Sequence, residues 1–574
     1  MVPVADRRRR WLALALALTL ALAGCGISTT GTTDEGDGLE TGTGLTDSDF
    51  LPPPSPDTAV SPEQLVDDFL RSASGGLNQV KAFLTEDALK TFHDPVNKDN
   101  PALTIVRLVG EPQEGVPSPD RTPVTVTYQV VGTLDDKGLV EELADPNLHK
   151  MVLQVVPNKQ KPSVLRIDEI GGDAPDGLVL RDRALTEYYR PQPIYFWDES
   201  YSVLVPDLRY LPLTITAEQR ASLVVQYLAA GPSPWVTGVK KLPLGAVPSE
   251  PVTSPNGTLV VKVTAQAAPG GEDDQKKLLY QLQWSVGIPN RPTKIALQID
   301  DKIVNVNVGA NDYQSYNLSS TFASGAQRYD ITPEAKVVPI PAANPQGVLA
   351  APQNQNVVYA AVSRRGDVAA FVRAEPSGRR YVEIVHSNGS TVRWAPGTNQ
   401  MGRPAFYTSN GDVLVPVNGR LYAVSATDGS PSEALKSVNG VSAVSVAPDA
   451  RRMAVVANGQ VLVTSLPSAT SQQRLRPILS GQFTATSVAW TSESWLIVAG
   501  AGALWRVTAD GVVAEDLSGK LLGLTVNELL AYPQWPARPD AAVFALVAGH
   551  AYSFFTSQQS SLSPESYNAP FFGS

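Results

Sequence analysis

Four histidines, His93, His149, His386 and His550, are the only imidazoles in the sequence, and no two are spaced to share a metal ion. An HExxH zinc site sets two imidazoles one helical turn apart, and other zinc sites gather cysteine and histidine at short intervals. With one cysteine the chain has neither a multi-thiolate site nor an intramolecular disulfide. There is no GxSxG elbow, and Gly519-Lys520 lacks the upstream glycines and the following Ser or Thr of a phosphate-cradling loop. Carboxylates are plentiful, and a glycosidase needs only two that face each other, so an envelope glycan hydrolase stays open at this stage. The pairs Asp67-Asp68, Asp273-Asp274 and Asp300-Asp301 read more simply as solvated helix or turn residues. The most distinctive polar cluster is Val205-Pro206-Asp207-Leu208-Arg209-Tyr210. It reads either as a recognition surface presenting Asp207, Arg209 and Tyr210 or as an internal ion pair with a packed tyrosine. No catalytic, cofactor-binding or metal-binding residue is assigned, and a non-enzymatic protein is expected.

The specific chemistry belongs to Cys25. Arg7 to Arg10 form a basic segment, Trp11 to Leu22 an apolar one, and the small residues Ala23 and Gly24 precede the cysteine. That is the layout of a secretory signal over 1–24. About 12 apolar residues cannot span ~30 Å of hydrocarbon as a helix. Leu22-Ala23-Gly24-Cys25 resembles the lipobox of bacterial lipoproteins, which implies a diacylglyceryl thioether on Cys25, cleavage before it, acylation of the new amine, and a lipid-anchored position on the outer face of the cell membrane. Each buried methylene adds ~0.8 kcal/mol, so several acyl chains hold far more firmly than one. The sequence then runs in Gly, Ser, Thr, Asp and Pro, with no Lys or Arg between Arg10 and Arg71. This predicts a flexible acidic tether over 25–60. The net charge of −10 argues against a nucleic-acid partner, because phosphate contacts need clustered cations.

Three folded units must follow. Ser61-Pro62-Glu63-Gln64 has the form of a capping box with proline at the first helical position, and Leu65 and Phe69 share a helical face. Thr85 can cap a second helix carrying Leu89 and Phe92. Val124, Val126, Tyr128 and Val130 then alternate with other residues as in a half-buried strand. A small α+β domain is predicted over 61–185. Over 190–310, Thr216-Ala217-Glu218-Gln219 repeats the capping pattern, Ala221, Val224, Val225 and Leu228 trace one helical face, and Gly231-Pro232 ends it. Leu259, Val261 and Val263, a helix with Leu278, Leu282 and Val286, and Ile295, Leu297 and Ile299 complete a compact α/β unit. From 340 to 574, short strands recur every ~40 to 45 residues, the period of a propeller blade. About five or six blades fit, with Trp490, Trp495 and Trp505 packing between them. The fold class is therefore multidomain, α+β and all-β.

These residues resemble the LpqB lipoproteins of the actinobacterial envelope, whose middle section is a GerMN (spore-germination type) domain. Ile194-Tyr195-Phe196, the stretch Leu204 to Tyr210, Leu228-Ala229-Ala230-Gly231-Pro232, Phe83-Leu84-Thr85-Glu86 and Ala361-Val362-Ser363-Arg364 carry the resemblance. Leu208 departs from it, since proline is expected after the aspartate. The resemblance implies a membrane-anchored accessory protein that contacts the extracytoplasmic domain of an MtrB-like sensor histidine kinase and influences envelope homeostasis and division. A binder of an envelope ligand such as peptidoglycan fragments, in the GerMN domain or the propeller's central opening, is the alternative.

Overall fold

The computed structural model describes residues 52–95, 102–142, 147–243, 246–247, 250–287, 294–306, 312–322, 327–343, 346–466, 472–536, 541–557 and 561–573. The signal segment, Cys25 and the tether up to residue 51 lie outside the described residues. The described end of the expected tether is packed. Pro56 and Ala59 are buried, and Asp57 pairs with Arg166 at 2.8 Å. Apolar burial and an ion pair thus extend the first domain back from residue 61.

Helix α1 (Pro62–Ser72) starts where the sequence places it. Ser61 Oγ accepts the Gln64 amide, and Gln64 Oε1 accepts the amide of Val60 rather than that of Ser61. Helices α2 (Leu77–Ala82) and α3 (Glu86–Thr91) follow, with Thr85 Oγ1 capping α3. Leu89 points outward at 38% exposed, because α3 turns its Ala88 side to the core.

The helices accompany a sheet whose long middle strand sends Val124, Val126 and Tyr128 inward. Its strands are β1 (Leu103–Leu108), β2 (Gln113–Glu114), β3 (Thr122–Leu134), β4 (Val140–Glu142), β5 (His149–Pro157), β6 (Leu165–Gly172) and β7 (Leu178–Arg181). The main order is β6-β5-β3-β1-β7, with β7 parallel to β1 and short β2 and β4 on β3. Asp68 corrects the expectation of a solvated acidic pair. It is buried on α1 beside Arg71, while Asp67 pairs with Arg181 of β7.

Helix α4 (Asp182–Tyr188) passes without a loop into β8 (Tyr189–Trp197), which pairs antiparallel with β9 (Leu204–Pro212). Leu208 sits mid-strand opposite Pro193, so no turn depends on a proline there. Helix α5 (Ala217–Ala230) carries a complete reciprocal box between Thr216 and Gln219 and ends at Gly231, whose φ of 92° disfavours a side chain. Strand β10 (Leu259–Val263), helix α6 (Glu272–Val286) and strand β11 (Ile295–Ile299) make a parallel β-α-β unit, with β12 (Lys302–Ile303) on its edge. Ile194, Phe196, Val224, Leu228, Val261, Leu282 and Leu297 fill the core between them. Each such side chain contributes about 1.5–3 kcal/mol when fully buried.

Strands β13 (Arg328–Ile331) and β14 (Val337–Ile340) open the all-β region, and β13 also pairs with the C-terminal strand Pro570–Phe572. The region therefore begins at Arg328 rather than 340, because its first strand is fixed by its last. Between them, among the described residues, lie five four-stranded antiparallel sheets within 357–398, 405–433, 441–478, 485–516 and 528–564. Hydrophobic layers join successive sheets: Ala370 and Val372 meet Val413 and Val415, and Val456 and Val463 meet Val488 and Val498. Trp490 is 1% exposed, Trp495 is buried, and Trp505 stacks on Phe483.

Candidate functional site

Strand β9 places Asp207, Arg209 and Tyr210 at 1% exposure each, which corrects the recognition-surface expectation for all three. Here the strand is covered on both faces, so the strand alternation that would turn every second residue to solvent has no solvent to meet. Arg209 Nη1 donates to Asp207 Oδ2 at 2.7 Å, and its other terminal nitrogen donates to the Gly231 carbonyl at 2.8 Å. Ser233 gives Asp207 two more donors, its amide at 2.7 Å and its hydroxyl at 2.6 Å. The pair thereby pins the end of α5 to β9. Charge-assisted hydrogen bonds are what make such a buried pair tolerable.

Tyr210 leads out of this domain. Its hydroxyl donates to the Asp510 carboxylate at 3.0 Å, and that carboxylate also accepts from Thr508 Oγ1 at 2.6 Å and from the Val512 amide at 3.2 Å. Burial and the neighbouring Asp510 charge hold the tyrosine proton on, well above its usual range. Residues 508–513 form the turn between two strands of one propeller sheet. Gly511 sits at its tip with φ 75°, and a Cβ there would meet Ile478 at 2.7 Å. Around that tip the first domain closes in. Arg107 of β1 donates to the carbonyls of Gly511 at 3.0 Å and Val512 at 2.8 Å while its Nε bonds Asp182 of α4 at 2.9 Å. Arg476 of the propeller donates to the Asp510 carbonyl at 2.6 Å and back to the Val140 carbonyl of β4 at 3.2 Å. The Asp510 turn is thus a plug on which all three folded units converge.

Other contacts extend the same junction. Val205, Trp235 and Val236 enter the propeller core beside Ala454 and Trp490. Arg451 reaches Asp198 of the β8–β9 turn at 2.9 Å, and Tyr195 Oη donates to Glu493 at 2.9 Å. On the propeller itself, Arg403 grips Glu528 at 2.5 Å, donates to the Ala360 carbonyl at 2.9 Å and lies against the rings of Tyr359 and Phe571. These partners belong to the opening strands of two sheets and to the C-terminal strand, so one side chain ties the first and fifth sheets to the closing strand.

The expected chemistry residues are dispersed. His149 packs on Tyr128, His386 faces the Ala426 carbonyl, and His93 and His550 are exposed. Asp274 caps the Gly270 amide, and Asp301 faces Lys262. Lys520 Nζ donates to the Ser557 carbonyl at 2.5 Å. Cys25 lies outside the described residues. Sequence reasoning did not find Arg107, Arg476, Glu493 or Asp510; the one local signal was the Thr508-Ala509-Asp510-Gly511 turn pattern.

The family model described as the lipoprotein LpqB beta-propeller domain matches residues 337–535, and the Germane model, described as sporulation and spore germination, matches residues 193–305. The chain therefore carries an LpqB-type beta-propeller domain and a Germane domain. Curated LpqB lipoproteins of Mycolicibacterium smegmatis and Mycobacterium tuberculosis are 30% and 29% identical to it over 191 residues. The aligned stretch is 32% of this chain and 29% of each relative, so the chain spans under a third of the LpqB proteins it matches. Among solved structures, it is similar to TolB from Acinetobacter baumannii with a TM-score of 0.34, at 12% identity over 47% of this chain and 75% of that one. Asp207, Arg209 and Tyr210 lie in the Germane match and Glu493 and Asp510 in the propeller match. Arg107 and Asp182 belong to the N-terminal domain outside both matches. Among the described residues no helix is long and apolar enough to cross a membrane.

Proposed function

We propose that the chain is a non-enzymatic accessory lipoprotein, held on the outer face of the cell membrane by lipid on Cys25. It modulates an MtrB-like sensor kinase by contact with the kinase's extracytoplasmic domain, and through it envelope homeostasis or division. The observation that carries this reading is the joining of an LpqB-type propeller to a Germane domain in a chain similar to curated lipoproteins. The plug at Asp510 supports it. Its buried polar groups are spent on bonds between domains, so the units keep a fixed geometry and can offer a partner one continuous outer surface. A contact-dependent modulator needs such preorganisation, since a surface that must first assemble gives up part of its binding energy in ordering.

Crosslinking in intact cells, followed by mass spectrometry, tests the partner. Crosslinks from the Germane domain or propeller to the kinase's extracytoplasmic domain are expected; a crosslink map that never includes the kinase would remove the reading. The anchor has its own test. Cys25→Ala is expected to leave the domains folded while the protein moves from the membrane to the soluble fraction, because the acyl chains are lost. A Cys25→Ala protein that is exported and cleaved yet still sediments with membranes would show that another element holds it.

A further inference from the structure

Arg364 is a partly buried guanidinium that the protein positions without neutralising. It sits in the turn 363–367 that joins the strands Val357–Val362 and Val368–Ala374 of the first propeller sheet. Its Cζ lies 3.2 Å from the centroid of the Phe322 ring, and Nη1 donates to Thr321 Oγ1 at 2.9 Å. The platform beneath it is braced. Phe322 meets Tyr532 edge-on at 5.6 Å, and Tyr532 meets Phe572 of the C-terminal strand at 5.8 Å. A guanidinium carries five N–H donors, and the bond to Thr321 uses one of them. The others meet no acceptor among the described residues. Elsewhere an enclosed arginine is met by a carboxylate: Arg209 by Asp207, Arg373 by Glu383, Arg403 by Glu528 and Arg452 by Asp449. Asp367, the acid of the Arg364 turn, is instead taken by the Ser363 hydroxyl at 2.6 Å. Arg365, the next residue, is exposed, and it too pairs with no carboxylate among the described residues.

We propose that Arg364, with Arg365 beside it, is a binding site for a phosphate group. A guanidinium fork with open donors matches the paired oxygens of an oxyanion, and an aromatic face supports the cation without using up those donors. A phosphomonoester suits the site better than one carboxylate, because it brings close to two negative charges to two cations that hold no acid of their own. Burial lowers Arg364 from 12.5 to about 10, so it stays charged at neutral pH. Its lost hydration also strengthens the pull on an incoming anion. Rigidity helps in the same direction, since a fork already fixed by Phe322 and Thr321 has little left to order on binding. The phosphate can arrive on a soluble ester or on a lipid headgroup, and the chemistry at Arg364 is the same.

Phosphorus NMR of inorganic phosphate titrated with the full chain in detergent micelles, at matched ionic strength, reads the site directly. A dissociation constant on the order of 1 mM is expected. Arg364→Gln is expected to weaken it on the order of 10- to 100-fold, the loss of charge-assisted hydrogen bonds. Arg365→Gln changes an exposed residue only and is expected to weaken it a few-fold, which keeps the test open should the Arg364 variant misfold. Two further arms separate the sources, both with the Cys25→Ala chain so that no acyl anchor intervenes. Arg364-dependent retention on phosphatidylcholine vesicles containing phosphatidic acid, and not on phosphatidylcholine alone, assigns a headgroup; binding of glycerol phosphate without that retention assigns a soluble ester. No binding at about 10 mM phosphate would overturn the proposal. So would equal binding by a folded Arg364→Gln chain, or acetate binding as tightly as phosphate.

Discussion

Replacing Arg209 by methionine is expected to cost about 3–5 kcal/mol of folding stability, the usual consequence of removing one member of a buried ion pair. Asp207 would keep its two Ser233 donors but lose the cation at 2.7 Å, and the Gly231 carbonyl would lose its partner. Neither group has water to turn to, since both residues of the pair are 1% exposed. Removing the charge on both sides should behave differently. Asp207→Leu combined with Arg209→Met is expected to recover a large part of the loss, because an apolar pair leaves no uncompensated charge. Denaturant unfolding of the single and double variants measures both. A single-variant cost under about 1 kcal/mol would mean that water reaches the pair.

Arg107→Met should have a comparable effect and a different signature. It strips the donor from two propeller carbonyls, leaves Asp182 of α4 with the Arg183 amide but without its cation, and removes a guanidinium that is itself buried. About 3–5 kcal/mol is again expected. Here, however, the loss falls between domains rather than within one. The N-terminal domain should gain protease sensitivity and exchange faster while the Germane core around Val224 and Leu282 stays protected. Uniform loosening of all three units would show that Arg107 serves the fold at large instead of this junction.

How these residues came to be missed follows from their spacing. Thr216 with Gln219 and Ser61 with Gln64 are three residues apart, so a helix start announces itself locally, and the structure places both helices where the sequence indicates. The apolar face of α5 and the recurring propeller strands are legible for the same reason. Tyr210 with Asp510, Arg107 with Val512 and Tyr195 with Glu493 are separated by 300, 405 and 298 residues, and no local period records such pairs. The Val205–Tyr210 cluster marks the boundary between the two cases. Its residue types announced an important polar site, but whether it faced solvent or a neighbouring domain depended on the propeller that covers it. Asp68 repeats the lesson on α1, where a charged residue expected to be solvated is buried beside Arg71, which Glu187 of α4 also holds.

The proposed role requires the interlocked domains to present a preformed face to the kinase. Calorimetric titration of the full chain, in detergent micelles, with the kinase's purified extracytoplasmic domain tests that claim most directly. Saturable heat with a dissociation constant at or below tens of micromolar, weakened by Arg107→Met, is the expected result for a preorganised contact of ordinary size. No heat at that concentration, from a chain shown to be folded, would contradict it.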